Sequence, residues 1–138
     1  MTPEDLPPPS VQEPGSAHGG AGATSHDYDA LPYLSLPVTY TQPNILAALA
    51  ALCGLQAPSP GRARVLELGC ASGGNLIPLA ARFPAAHFVG LDLSARQIGD
   101  GNRRIAAFGL SNIELRSGDI AAVDVAPASF DYVICHGV

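Results

Sequence analysis

The residues best placed to do chemistry begin where an apolar run breaks into a glycine-rich turn. In Glu67-Leu68-Gly69-Cys70-Ala71-Ser72-Gly73-Gly74-Asn75, glycines at 69, 73 and 74 let the backbone come close to a ligand, and amide hydrogens at the start of a following helix point outward. About 20 residues on, the next apolar run ends in Gly90-Leu91-Asp92-Leu93-Ser94. A carboxylate there accepts two hydrogen bonds in a fork that matches the two hydroxyls of a ribose. Ser117-Gly118-Asp119-Ile120 follows a third run; Asp119 can accept from an exocyclic amine and Ile120 can cover a flat ring, which together suggest adenine. A fourth run delivers Cys135, His136 and Gly137. Adjacent strand residues point to opposite faces, so Cys135 and His136 do not make a thiol and its base.

Each of these residues also has a structural reading. The glycines can serve packing, Asp92 can favour a helix start by about 0.3 to 1 kcal/mol, and Asp119 can satisfy local turn donors. Taken as a nucleoside site, the pattern leaves two kinds of cofactor open. A dinucleotide needs G-x-G-x-x-G, and here the frame is Gly69, Ala71, Gly74, with a methyl group where the pyrophosphate must pass. Glu67 would repel a pyrophosphate and attract an ammonium. A nucleoside carrying a zwitterionic, cationic tail fits better, and an NAD-dependent oxidoreductase is the alternative.

The elements that position these residues alternate. Ala63 to Leu68 reads as a buried strand, Asn75 to Phe83 as a helix stopped by Pro84, and Ala86 to Leu91 as a second strand. Ser94 and Gln97 give the Ser-x-x-Gln start of a helix that buries Ile98, Ile105 and Phe108 and ends at Gly109, with Gly99 and Gly101 each weakening it by about 1 kcal/mol. Asn112 to Arg116 is a third strand, Gly118 to Val125 a loop or short helical turn, and Phe130 to Cys135 a fourth strand. This order predicts an α/β fold, a doubly wound parallel sheet with right-handed crossovers and helices on both faces. Upstream, Ile45 to Leu55 predicts a short helix with Ile45, Leu46, Leu49 and Leu52 on its packed face and Gly54 as its stop. Tyr28 to Pro43 predicts an extended segment docked on the core. The first 26 residues, rich in proline and glycine, read as a disordered tail in which His18 and His26 are solvated. The expected domains are thus 1–26, a tail; 27–62, the docked segment and helix; and 63–138, the ligand-binding half of an α/β domain. A buried fourth strand ending so near residue 138 leaves a sheet edge bare, so the native protein is expected to continue.

With 138 residues, 47% apolar and 14% charged, the chain predicts a globular domain. No apolar run approaches the roughly 20 residues that cross a bilayer, and no signal peptide is recognisable, so a cytoplasmic location is expected. The net charge of −5 comes from the N-terminal segment, and seven arginines without a lysine give no basic field for nucleic acid. Cys53, Cys70 and Cys135 lack metal or disulfide spacing and read as reduced, mostly buried thiols; no metal site is expected.

The sequence resembles class I S-adenosylmethionine-dependent methyltransferases. Val65 to Gly73 looks like their first motif, Val89 to Ser94 like the acidic end of their second strand, Ser117 to Ile120 like the adenine motif, and Phe130 to Cys135 like the fourth strand. A narrower resemblance is to bacterial methyltransferases with a further regulatory domain, some of which methylate protein lysines. It rests on Tyr28 to Tyr33, Gly73 to Pro78, Asp92 to Ile98 and Cys135 to Val138. The fold implied is Rossmann-like and the cofactor implied is S-adenosyl-L-methionine. Its binding residues would be Glu67, Gly69, Cys70, Ala71, Gly73, Asn75, Asp92, Leu93, Gly118, Asp119, Ile120 and His136. Glu67 would support the ammonium, Asp92 hold the ribose, and Leu93, Asp119 and Ile120 frame the adenine. His136 would lie near the transferable methyl. No catalytic residue or oligomeric state is assigned, the methyl acceptor stays open between a protein lysine and a small molecule, and these 138 residues alone are expected to turn over weakly or not at all. A non-catalytic nucleotide-binding regulatory module is the second alternative.

Overall fold

The computed structural model describes residues 34–138. The proline- and glycine-rich tail, with His18 and His26, and the segment Tyr28 to Tyr33 lie outside the described residues. Seven regular elements follow in chain order: helix α1, Pro43–Leu52; strand β1, Arg64–Leu68; helix α2, Leu76–Arg82; strand β2, His87–Asp92; helix α3, Ala95–Phe108; strand β3, Ile113–Ser117; and strand β4, Tyr132–Cys135. The strands form one parallel sheet of order β3-β2-β1-β4. The chain steps outward from β1 to β3 and then crosses back to the other side of β1. The strand order therefore reverses between β1 and β4, and the carboxyl ends of all four strands open beside that point, where α/β sheets bind ligands.

Burial follows the two faces of the strands. Val65, Phe88, Ile113, Leu115, Tyr132 and Ile134 join Leu76, Ile77, Leu79 and Ala80 of α2 and Ile98 and Ile105 of α3 in the main core. Leu46 and Ala47 of α1 pack against it. On the other face, Leu66 and Val89 meet Val123, Val125 and Phe130. Helices were expected on both faces; among the described residues, the second face is met by the connection between β3 and β4, whose helical part is a single 3-10 turn, Ile120–Ala122. Outward steps from β1 to β3 in one direction put both right-handed crossovers, α2 and α3, on the same face.

Several local expectations change. Helix α1 starts at Pro43, which supplies the fixed φ of a first turn rather than ending the extended segment. Leu49 and Leu52 were expected on its packed face and are exposed, at 52% and 84%, because α1 meets the core only near Pro43, Leu46 and Ala47. Phe108, expected in the core, is 69% exposed. Gly109, at φ 65°, ends α3 with its N–H donating to Ala106 and the Leu110 N–H donating to Ile105. This reversal packs Leu110, partly buried, against the core that Phe108 is expected to join. Cys53 and Cys135 are exposed and only Cys70 is buried, all three as free thiols. Cys135 faces away from the main core, on the side opposite Ile134.

Gly99 and Gly101 are unequal. A Cβ on Gly99 would find its nearest neighbour at 3.7 Å, the flexible Arg103 guanidinium, whereas one on Gly101 would lie 2.8 Å from the Ser72 carbonyl oxygen and closer still to Leu115 Cδ1. Gly101 lets α3 sit directly on the glycine turn. Gly99→Ala is expected to stabilise the protein by up to about 1 kcal/mol, and Gly101→Ala to destabilise it by about 1 to 3 kcal/mol. Urea unfolding midpoints check both; equal shifts would contradict the packing role of Gly101.

Candidate functional site

A cavity of about 490 Å³ opens at the carboxyl ends of the strands. Of the expected cofactor residues, Glu67, Gly69, Cys70, Ala71, Asn75, Asp92, Leu93, Asp119, Ile120 and His136 line it. Gly73 and Gly118 do not. A Cβ on Gly73 would meet Leu115 and Ile77, so this glycine, at φ 73°, closes the turn against the core. The Gly118 N–H donates to the Asp92 carbonyl oxygen at 2.9 Å and joins β3 to the tip of β2.

The turn after β1 has positive φ at Gly69, Ala71 and Gly73. Ala71, at φ 50°, occupies a region that costs an L-residue about 1 to 2 kcal/mol. Its N–H donates to Asp92 Oδ2 at 2.7 Å, and the Ser94 N–H donates to Asp92 Oδ1 at 2.9 Å. Asp92 thus braces both the strained turn and the start of α3. Ser94 completes that start by accepting from the Gln97 N–H at 3.2 Å. A carboxylate has about four acceptor positions, so two backbone donors leave room for a diol. The same geometry disfavours a dinucleotide, because the Ala71 amide that a pyrophosphate would need is already bound to a carboxylate.

Glu67 is buried at 5% exposure. Its Oε1 accepts from Asn75 Nδ2 at 2.8 Å, and its Oε2 is buried with no hydrogen-bond partner. Burial pushes the Glu67 carboxyl up to about 7, opposed by the Asn75 hydrogen bond. No Lys or Arg lines the cavity, so among the described residues its wall supplies no counter-charge. A buried, half-satisfied carboxylate of this kind calls for a cation or a donor from the ligand. Cys70 lies beside it; burial first, then the Asp92 and Glu67 carboxylates, push its thiol upward, which leaves it inert as a nucleophile. Asp119 Oδ1 accepts from the Ala121 N–H at 2.8 Å, so its local turn role is present together with its place on the wall.

No sequence motif marks the outer wall of the cavity. Leu34, Ser35, Leu36 and Val38 line the cavity, in a segment pinned where Ser35 Oγ accepts from the Gly74 N–H at 2.7 Å and Asn75 Oδ1 accepts from the Val38 N–H at 2.9 Å. Tyr40 and His136 hydrogen-bond through hydroxyl and Nε2, with their rings 5.3 Å apart edge to face. A docked segment was expected from the tyrosines and prolines, but no motif marked its contacts. Gln97 also lines the cavity; read as a capping residue, it caps through its backbone N–H. Gly137 and Val138 complete the rim. Among the described residues, no cluster of His, Cys, Asp and Glu could hold a metal ion, and no helix is long and apolar enough to cross a membrane.

Residues 65–138 match the model of a methyltransferase domain. An uncharacterized protein of Rickettsia prowazekii is 49% identical over 119 residues, 86% of this chain and 22% of that protein. A trans-aconitate 2-methyltransferase of Methylobacterium nodulans is 35% identical over 101 residues, 73% of this chain and 35% of that enzyme. Among solved structures, PKMT2 from Rickettsia typhi in complex with AdoHcy superposes with TM-score 0.73 and 37% identity, over 78% of this chain and 21% of that one. A SAM-dependent methyltransferase from Thiobacillus denitrificans in complex with S-adenosyl-L-homocysteine gives TM-score 0.53 and 31% identity, over 80% of this chain and 41% of that one. The chain thus spans about a fifth of the length of these two rickettsial proteins. A parallel sheet with this reversal point, a glycine turn braced by Asp92 and a family match over more than half the residues lead to one conclusion: the chain belongs to the methyltransferase domain family, of the class I, S-adenosylmethionine-dependent type.

Proposed function

We propose that this chain holds S-adenosyl-L-methionine for methyl transfer to a protein lysine. The observation that carries the cofactor half of the reading is the buried Glu67 carboxyl, whose Oε2 has no partner, in a cavity shared with Asp92. Within it, the Glu67 carboxyl offers a partner for an ammonium and Asp92 one for a ribose diol. In this reading Glu67 takes the ammonium, Asp92 the diol, and Leu93, Asp119 and Ile120 the adenine. The lysine acceptor rests on the sequence resemblance, and a cytoplasmic location on cysteines that lack disulfide spacing.

When bound, the cofactor supplies an electrophilic methyl group on a sulfonium, which is displaced in line and needs no metal. The chain's part is positional. Glu67 and Asp92 fix two points of the cofactor, and Leu34, Ser35, Leu36 and Val38 with His136, Gly137 and Val138 wall the cavity around it. A lysine acceptor, with an ordinary pKa of about 10.4, must lose a proton first. Calorimetric titration with S-adenosylhomocysteine and with NADH tests the reading. Saturable heat is expected from the first and none from the second; the reverse preference would replace it with a dinucleotide function.

A further inference from the structure

Asn75 uses its side chain in three directions at once. One Nδ2 hydrogen goes to Glu67 Oε1 at 2.8 Å, the other to Thr41 Oγ1 at 3.1 Å, and Oδ1 accepts the Val38 N–H at 2.9 Å. Thr41 Oγ1 donates in turn to the Val38 carbonyl oxygen at 3.0 Å. The amide is itself buried, at 5% exposure, so water cannot replace a lost partner without cost. It therefore joins Glu67, in the cavity lining, to the segment 34–41, of which Leu34, Ser35, Leu36 and Val38 also line the cavity.

The state of Glu67 decides how firmly that junction holds. An ionised carboxylate makes Oε1 a strong acceptor for Asn75 Nδ2. A protonated carboxyl that turned its hydroxyl toward Asn75 would offer a donor to a donor, and the amide would lose the partner that orients it. An ammonium on Oε2 keeps Glu67 ionised. The other titratable groups on the cavity wall are Cys70 in the turn, Asp92 at the end of β2, Asp119 after β3 and His136 after β4. None of them is hydrogen-bonded to Asn75 among the contacts described.

We propose that Asn75 is a positioning residue through which an ammonium on Glu67 Oε2 tightens the segment 34–41 over the cavity. This rests on the cofactor reading above, because it takes the ammonium from the cofactor's amino-acid tail. Coupling is reciprocal: the ligand steadies the segment, and the segment's hydrogen bonds steady the ligand's tail. A nucleoside without that tail fills the Asp92 end and leaves the junction unchanged.

Hydrogen exchange across residues 34–41, measured at matched saturation with S-adenosylhomocysteine and with 5′-methylthioadenosine, separates the possibilities. S-adenosylhomocysteine is expected to slow exchange at the Val38 amide by about fivefold more than 5′-methylthioadenosine does, near the low end of ordinary coupling. Asn75→Ala is expected to erase that difference while 5′-methylthioadenosine still binds. Should Asn75→Ala fold poorly, Thr41→Val leaves the Asn75–Glu67 bond in place and is expected to shrink the difference. Equal protection by both ligands, or a difference that survives both substitutions, overturns the coupling while the cofactor reading stands. If neither ligand binds, both fall.

Discussion

Asp92→Ala is expected to weaken S-adenosylhomocysteine binding by at least about a hundredfold and to lower stability as well. Two losses combine. Hydrogen bonds to a charged group contribute about 1.5 to 3 kcal/mol each, so two bonds from a ribose diol account for a loss of that size. In addition, the Ala71 and Ser94 amides lose their acceptor, and Ala71 no longer has the bond that offsets its positive φ. Asp92→Asn separates the two roles. It keeps one acceptor oxygen, so it can brace one of the two amides, and it loses the charge that strengthens a diol contact. The measurements are calorimetric affinity at a temperature where circular dichroism shows each variant folded, and a urea midpoint for each. Reduced stability with undiminished affinity in Asp92→Ala would make Asp92 a brace for the turn and nothing more.

That double role shows where the sequence was legible and where it was not. Glycines 69 and 73, the carboxylate at 92 and the four apolar runs are local patterns, each readable within a few residues, and the parallel sheet follows from their alternation. Strand-end geometry then brings Glu67, Asp92, Asp119 and His136 to one cavity. Not legible were the individual side-chain contacts between residues far apart in the chain. The Ser35 contact to Gly74 and the Val38 contact to Asn75 span 39 and 37 residues, and Tyr40 with His136 spans 96. Polar side chains in a loop carry no periodicity that names their partners. Phe108 failed for the complementary reason. Its i, i+3 spacing from Ile105 fits a buried stripe, but the left-handed Gly109 turns the chain one residue later and gives the place to Leu110.

Glu67 gives the second large effect, and its sign follows from linkage. Burial pushes the carboxyl up to about 7 in the folded, ligand-free protein against an ordinary value of 4.5, so between those values the native state holds a proton that the unfolded chain has released. Stability of the ligand-free protein should therefore fall as pH rises from 4.5 through 7 and level off above it, by about 1.4 kcal/mol per unit of pKa difference and roughly 3 kcal/mol in all. A cationic ligand reverses the preference. It binds the ionised carboxylate, so S-adenosylhomocysteine affinity should rise about tenfold between pH 6 and pH 8 and then flatten, because one pH unit below the pKa costs one decade. Glu67→Gln removes the ionisable group. Its stability should lose the acid-side slope, and its affinity should be lower by about a hundredfold at pH 8 and nearly independent of pH, given the roughly 1.5 to 3 kcal/mol of a charged hydrogen bond. His136→Gln serves as the control, since an imidazole on the same cavity wall could imitate the profile; the slope should survive that substitution. A wild-type affinity that stays flat from pH 6 to 8, or a slope that disappears in His136→Gln and persists in Glu67→Gln, would move the cation's partner away from Glu67 and leave its buried oxygen without a function.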